Sequence, residues 1–203
     1  SEAEKKRGSR RAVLFTEELQ SFLSHQTYQF GTEERYFSGG SIAKAMQTVN
    51  QFSAAGLYAE NKAIYELLCA GKSMEEDLPD GTRQSFDLSF IDFEHPENNT
   101  FQVTDEFEVE RPNGKFARPD IVILVNGIPL VVIECKKSSV DVMEGVNQNI
   151  RNWSEDYIPH LFRYTQLVLA MNPDKVLYGT CGTPAKYFVS WHEDDKEWLN
   201  DWC

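Results

Sequence analysis

The most constraining feature of this sequence is a pair of apolar runs joined by Asn126-Gly127. The runs cover Ile121–Val125 and residues 128–133, and neither contains a charged residue. Asn-Gly between two runs rich in β-branched residues is the strongest short-range signal for a β-hairpin. Because both runs are almost continuously apolar, we expect two central strands of a sheet, buried on both faces.

Helical spacing of apolar residues predicts three helices before this hairpin, and cap candidates at residues 138–141 predict one after it, ending near residue 153. The three earlier helices are expected over residues 13–23, 41–50 and 61–69, and a further short helix over residues 157–164. Additional strands are expected over residues 86–93, 101–109, 166–170 and 176–178. This order predicts a mixed α/β (α+β) fold with a mixed sheet flanked by helices. We expect a helical N-terminal cap over residues 1–75 and a core over residues 76–203, together forming one domain.

The distribution of charge singles out two acidic residues. The 203-residue chain carries a net charge of −12, which argues against a surface that binds nucleic acid throughout. Residues 76–110 hold eleven acids and one base, whereas residues 111–137 hold five bases and two acids. Those two acids are Asp120 and Glu134, so both lie in the most basic stretch of an acidic chain.

Several classes of protein are disfavoured. The four cysteines form no Cys-x-x-Cys pair, which argues against zinc and disulfide sites and favours a reducing cytoplasm. No apolar run approaches the roughly 18 residues that a membrane span requires. The nearest match to a phosphate-binding loop, Gly71-Lys72-Ser73, has Glu66 where the first glycine is required, so we expect no ATP site in this chain.

The hairpin carries charged residues at its open end. Asp120 precedes the first run, and Glu134 and Lys136 follow the second. Side chains two apart on a strand share a face, and charges there are costly unless they are paired or bind a metal. Two carboxylates suit Mg²⁺, which takes its other ligands from water and phosphate. We therefore predict Asp120 and Glu134 as metal ligands, with Lys136 holding the attacking water or offsetting phosphate charge.

The hairpin register tests this hypothesis. A strict two-residue loop would pair Asp120 with Ile133 and direct the two carboxylates to opposite faces. A three-residue loop with a bulge at Gly127 pairs Asp120 with Glu134 instead. We therefore predict the bulged register, or a second bulge near Asp120.

The stretch from Arg118 to Lys136 resembles the signature of the nuclease domain of type I restriction enzyme R subunits. The resemblance covers roughly residues 43–191, with further matching segments at residues 91–99, 148–151, 158–166 and 179–180. It implies a PD-(D/E)xK restriction-endonuclease-like core in which Asp120 and Glu134 bind Mg²⁺ and Lys136 is the catalytic lysine.

The resemblance also implies a Gln-x-x-Arg-x-Tyr motif on Gln148, Arg151 and Trp153. Gln148 and Arg151 would share one helix face and reach the scissile phosphate or the DNA backbone. We also expect Arg118 to contact the DNA or to support the site. Trp153 departs from the family's usual Tyr, so the role of that hydroxyl is lost or moved. Cys135 replaces a usual Leu, and we expect the family's acidic residue on a first helix to be missing, because this chain starts after that helix.

These observations predict a Mg²⁺-dependent endodeoxyribonuclease domain that acts on duplex DNA. The resemblance implies the restriction subunit of a type I restriction–modification enzyme, with methyltransferase and specificity subunits as partners. ATP would be used only by motor domains outside this chain. Two alternatives stay open: a catalytically weak docking or DNA-binding module for partner subunits, and a PD-(D/E)xK nuclease of another DNA-processing complex.

Overall fold

A computed structural model of the chain describes residues 6–52 and 56–191, so the last twelve residues of the predicted core, 192–203, lie outside the described ranges. In the N-terminal part, the helices and strands that lie wholly within these ranges are α1 (Thr16–Ser24), β1 (Thr27–Phe30), β2 (Glu33–Tyr36), α2 (Gly39–Asn50), α3 (Leu57–Ala70), β3 (Lys72–Asp77) and β4 (Arg83–Leu88). The later elements are β5 (Phe101–Asp105), β6 (Val109–Glu110), β7 (Phe116–Ala117), β8 (Ile121–Val125), β9 (Ile128–Cys135), α4 (Val142–Asn152), α5 (Pro159–Phe162), β10 (Leu167–Asn172), β11 (Lys175–Gly179) and β12 (Val189–Ser190).

A six-stranded mixed sheet forms the centre of the fold. Its strand order is β12-β11-β10-β9-β8-β5. The β9–β10 pair is parallel, and the other four pairs are antiparallel. A parallel pair requires a crossover, and here α4 and α5 provide it. The predicted mixed α/β class is therefore confirmed.

The cap and the sheet share one hydrophobic core. Leu19 of α1, Ala45 of α2 and Ile64 of α3 belong to the same buried cluster as Val122 of β8 and Val132 of β9. The predicted boundary after residue 75 falls inside β3, which pairs with β4 across it. No helix in the described ranges is both long and apolar enough to cross a bilayer.

The two faces of the sheet are not equally covered, contrary to the sequence expectation. In β8, Val122 and Leu124 are fully buried, whereas Ile121, Ile123 and Val125 are only half-buried. The helices cover the face that carries Val122, and on the edge strand β5 the side chain of Val103 is 71% exposed. Apolar strands therefore did not imply burial on both faces.

The closed end of the β8–β9 hairpin is fixed by a buried polar residue. Asn126 and Gly127 both have positive φ, 50° and 78°, as a tight two-residue turn requires. The Asn126 amide donates to the Phe90 carbonyl at 3.0 Å and to Asn99 Oδ1 at 2.8 Å, and its oxygen accepts from the Thr100 N–H at 2.8 Å. Asn126 has no exposed surface, and every polar atom of its side chain is hydrogen-bonded.

Several elements differ from the predicted ones. The hairpin β1–β2 and strand β3 were not predicted, because their sequences are polar and only some positions are buried. The predicted strand over residues 86–93 is shifted toward the N-terminus as β4. The predicted strand over residues 101–109 is broken at Glu106, whose φ of 47° ends the extended conformation of β5.

Candidate functional site

Asp120 and Glu134 meet through a bulge that lies in the middle of the hairpin. Val125 pairs with Ile128 and Leu124 with Pro129, so the turn is a two-residue loop. The register then shifts, and Ile123 pairs with Val131. Leu130 is the extra residue of β9.

This register corrects the predicted position of the bulge, which lies neither at Gly127 nor near Asp120. The carbonyl of Leu130 accepts a hydrogen bond from the Gln166 N–H at 2.8 Å, directly before β10 begins. The bulge therefore lies where β9 acquires its second, parallel neighbour. Beyond the bulge Ile121 pairs with Ile133, which sets Asp120 opposite Glu134 and directs both side chains to one face.

The carboxyl group of Glu134 is completely buried. Its Oε1 accepts a hydrogen bond from Asn152 Nδ2 at 3.1 Å, whereas Oε2 has no hydrogen-bond partner. Burial and the neighbouring negative charge of Asp120 raise the pKa of Glu134 to about 8, although Lys136 and Arg151 oppose the shift. A carboxylate oxygen without a hydrogen bond is costly in the interior, and its ion-pair partner Lys136 lies 3.8 Å away. Oε2 is therefore a candidate ligand for a metal cation.

Asp120 is held by the backbone of the partner strand. Its Oδ2 accepts a hydrogen bond from the Cys135 N–H at 2.7 Å. Burial, followed by the charges of Asp120 and Glu134, raises the pKa of the Cys135 thiol, so the thiol stays protonated at neutral pH. The backbone bond orients Asp120 beside Glu134.

Lys136 lies between the carboxylates and helix α4. Its Nζ donates to Gln148 Oε1 at 2.7 Å and lies 3.8 Å from Glu134 Oε2. The Lys136 side chain retains 17% of its exposure, so the ammonium group can still contact a substrate. A lysine held by a neutral amide keeps its charge free for a phosphate oxygen.

Helix α4 approaches Glu134 closely because Gly145 faces it. A Cβ at Gly145 would lie 3.0 Å from the Cβ of Ala170 and 3.6 Å from that of Glu134. The helix begins with Asp141, whose side chain accepts from the Met143 N–H at 2.9 Å and caps the helix as predicted. The cap and the glycine together set the height and the distance at which α4 lies over β9.

Asn152 was missed by the sequence analysis, although it contacts Glu134 directly. Its side chain is 2% exposed, and it lies four residues after Gln148 on the same helix face. That spacing was the available signal, since Gln148 and Asn152 hold Lys136 and Glu134 respectively. Apart from this spacing, nothing local distinguishes Asn152 from an ordinary polar helix residue.

The remaining predicted residues are less closely associated with the carboxylates. Arg151 is exposed at the end of α4, and its charge acts on Glu134. Trp153 packs its ring edge against Phe162, with 5.8 Å between centroids, so it contributes to the core. Arg118 is exposed and pairs with Glu106 at 3.4 Å. The structure therefore brings four of the predicted residues together: Asp120 lies opposite Glu134 on the paired strands, and Lys136 contacts both Glu134 and Gln148. It does not bring Trp153 or Arg118 into this group.

The donor set suits a hard divalent cation. No group of three or more His, Cys, Asp or Glu side chains within residues 6–52 and 56–191 is arranged to hold a metal ion. The chain would therefore supply two carboxylates, which matches Mg²⁺ with water and substrate phosphate as its other ligands. The unpartnered Glu134 Oε2 and the mutual repulsion of the two carboxylates fit such a cation.

Comparison with known proteins agrees with the motif. Residues 1–187 match the family described as type I restriction enzyme R protein N terminus. The chain is 30% identical over 162 residues to the putative type I restriction enzyme MjaIXP endonuclease subunit of Methanocaldococcus jannaschii. The aligned region covers 76% of the chain and 15% of that protein. It is 26% identical over 194 residues to the type I restriction enzyme HindI endonuclease subunit of Haemophilus influenzae, which covers 94% of the chain and 17% of that protein.

The chain thus spans 15% and 17% of the length of these two curated relatives. A third relative, the type I restriction enzyme SsaAORF53P endonuclease subunit of Staphylococcus saprophyticus, is 42% identical over 85 residues, covering 42% of the chain and 9% of that protein. The match to the family extends over most of the chain, from the cap through the candidate site. The chain therefore belongs to the family of type I restriction enzyme R protein N-terminal domains.

Proposed function

We propose that this chain is a Mg²⁺-dependent endodeoxyribonuclease domain that hydrolyses phosphodiester bonds of duplex DNA. The observation that carries the proposal is the buried Glu134 carboxylate, whose unpartnered Oε2 lies beside Asp120 and Lys136. The names of the relatives, all endonuclease subunits, support a nuclease role in general. The fold and the order of Asp120, Glu134 and Lys136 agree with a PD-(D/E)xK nuclease.

In this mechanism Asp120 and Glu134 hold the cation. When bound, Mg²⁺ stabilises the negative charge that develops on the phosphate in the transition state. Asp120 is fixed by the Cys135 N–H, and Glu134 by Asn152, so both ligands are oriented before a substrate arrives. Glu134 has to lose its proton for this, because its raised pKa keeps much of it protonated near neutral pH.

Lys136 acts on the substrate side of the carboxylates. Its ammonium group, held by Gln148, donates to the attacking water or to a phosphate oxygen and offsets the charge of the phosphate. Fixing Lys136 before the reaction reduces the reorganisation that the transition state requires. The substrate phosphate would be a further negative partner of the Lys136 ammonium group, beside the two carboxylates.

The proposal extends to the cellular setting. The chain would form part of the restriction subunit of a cytoplasmic type I restriction–modification enzyme, with methyltransferase and specificity subunits as partners. ATP would be used only by motor domains outside this chain. Because partner subunits would bring the DNA, a chain with a net charge of −12 needs a basic surface only near the site.

Calorimetric titration with Mg²⁺ or Mn²⁺ tests the site. We expect the parent chain to bind the cation, and Asp120→Ala and Glu134→Ala each to lose that binding. Glu66→Ala, which removes an exposed carboxylate of α3, is the matched control and should bind as the parent does. Lys136→Ala should retain cation binding but lose DNA cleavage, because lysine is not a ligand.

The pH dependence sharpens the same experiment. Because the cation binds the deprotonated carboxylate, affinity should rise with pH up to about 8, the raised pKa of Glu134, and level off above it. Binding that is absent in the parent, or unchanged in both alanine variants, would contradict the proposal. The docking-module alternative would then become the leading hypothesis.

A further inference from the structure

Two arginines from distant parts of the sequence share the ring of Tyr157. The Cζ of Arg111 lies 3.7 Å from the ring centroid, and the Cζ of Arg151 lies 5.3 Å from it. Arg111 begins the turn between β6 and β7, Arg151 lies in the last turn of α4, and Tyr157 follows α4 in the loop to α5. Arg111 Nε also donates to the Asp156 carbonyl at 3.2 Å, which fixes the β6–β7 hairpin against this loop.

These two arginines differ from most others in their electrostatic partners. Arg83 pairs with Asp77 at 2.8 Å, and Arg163 pairs with Glu60 at 2.6 Å. Across residues 6–52 and 56–191, neither Arg111 nor Arg151 forms an ion pair with a carboxylate, although the loop itself carries exposed acids. In a chain with twelve more acids than bases, two stacked but unpaired guanidinium groups leave their charge available to another anion.

Stacking prepares both groups for a planar, charged ligand. A guanidinium that lies over an aromatic face keeps its N–H edges directed outward and has already lost much of its rotamer freedom. Those edges match the oxygens of a phosphodiester and can donate two parallel hydrogen bonds. Restricting the side chain in advance lowers the cost of binding.

The cluster adjoins the candidate site. Arg151 is followed by Asn152, which contacts Glu134, and its charge acts on the Glu134 carboxyl. Arg111 begins the hairpin that leads along the chain to Arg118 and Asp120. The Arg151 guanidinium is therefore near enough to the carboxylates for its charge to act on one of them, and Arg111 shares the Tyr157 ring with it.

The family resemblance already implies a contact of Arg151 with the DNA backbone. We propose that Arg111 adds a second contact, so that Arg111, Tyr157 and Arg151 form a phosphate clamp next to the cleavage site. The inference rests on the proposed function, since it assumes that DNA approaches Asp120 and Glu134. Arg111 and Arg151 donate to backbone phosphates, and Tyr157 acts as a positioning residue through both of them. The clamp reads no bases, so its contribution is independent of DNA sequence.

The test is the affinity of a short fluorescent duplex, measured by anisotropy in EDTA at several salt concentrations so that no cleavage occurs. We expect Arg111→Ala to weaken binding about tenfold at low salt and to reduce the slope of log affinity against log salt by about one. Tyr157→Ala should weaken binding, whereas Tyr157→Phe, which keeps the ring, should bind within about twofold of the parent. Arg83→Ala removes an exposed arginine of β4 and is the control.

Combining the variants separates the clamp from a general loss of charge. Arg111→Ala with Tyr157→Ala should bind less weakly than the two separate losses added together, because the ring acts through the arginine. If Arg111→Ala binds like Arg83→Ala, the clamp is wrong while the nuclease proposal stands. A parent chain that binds no duplex also overturns the clamp, whereas calorimetric cation binding decides the carboxylate site separately.

Discussion

The two ends of the β8–β9 hairpin each bury a polar side chain without any exposed surface, yet the two residues are in opposite states. At the closed end, Asn126 makes three hydrogen bonds and has no unpartnered atom. At the open end, Glu134 has one hydrogen bond, an oxygen without a hydrogen bond and a pKa raised to about 8. Although the two side chains are equally buried, their hydrogen bonding differs. Asn126 therefore stabilises the fold, whereas Glu134 lowers stability until a ligand binds.

The largest expected effect is at the closed end. Asn126→Ala leaves the Thr100 N–H and the Phe90 carbonyl without their partner, and buried unsatisfied groups cost about 2 kcal/mol each. We expect the free energy of unfolding to fall by about 4 kcal/mol in urea titrations. Asn113→Ala, which removes an exposed turn asparagine that accepts from the Lys115 N–H, should cost less than about 1 kcal/mol. Equal losses in the two variants would contradict the comparison.

The second effect is a gain in stability at the open end. The pKa of Glu134 is about 8 in the folded protein and about 4.3 in an unfolded chain. Between these values the folded protein keeps a proton that the unfolded chain has lost, so the free energy of unfolding falls as pH rises and levels off above about 8. In EDTA, Glu134→Gln should remove this decline, so that its stability relative to the parent grows by roughly 4 kcal/mol between pH 5 and pH 9.

Denaturation at pH 5, 7 and 9 measures this gain. Glu66→Gln on α3, an exposed carboxylate, provides the control and should keep the parent's dependence on pH. A Glu134→Gln variant that is less stable than the parent at pH 9 would mean that the carboxylate is satisfied without a cation. Asn126 and Glu134 would then not differ as proposed.

The smallest expected effects concern the helix that supports the site. Asn152→Ala removes the side-chain donor to Glu134 and should lower the free energy of unfolding at pH 7 by about 1 kcal/mol. Gln148→Ala releases Lys136, whose ammonium group can turn to water, and should cost less than about 0.5 kcal/mol. The same denaturation assay measures both. A larger loss for Gln148→Ala would indicate that Lys136, not Glu134, is the costly group.

Much of this arrangement followed from local sequence. Strand β8 was predicted with its observed bounds, because apolar runs around Asn-Gly specify both strands and turn. Helix α4 followed from its cap candidates at residues 138–141, of which Asp141 is the cap. The position of the bulge did not, because it depends on the contact between the Leu130 carbonyl and the Gln166 N–H, residues that are distant in sequence.

Other features depended on packing that no local pattern records. Glu76 is buried in β3 because it accepts hydrogen bonds from the N–H and the hydroxyl of Ser38, each at 3.1 Å. This contact with a distant residue lets a polar stretch of sequence form a buried strand. Asn152 contacts Glu134 only because Gly145 lets α4 lie close to β9. The roles implied for Gln148, Arg151 and Trp153 remain predictions, and only the contacts of these residues are now defined.

The single extra residue in β9 also has a genetic consequence. Because β9 uses one more residue than β8 between the turn and the acids, an in-frame loss of the codon for Ile123 would leave the turn, the bulge at Leu130, every carboxylate and the reading frame intact. With the bulge kept, that loss would pair Asp120 with Ile133 and direct the two carboxylates to opposite faces of the sheet. A search of homologous genes for the three charged letters alone would still score such a protein as complete. In this domain, the geometry of the candidate site depends on the number of residues between the two acids as much as on the acids themselves.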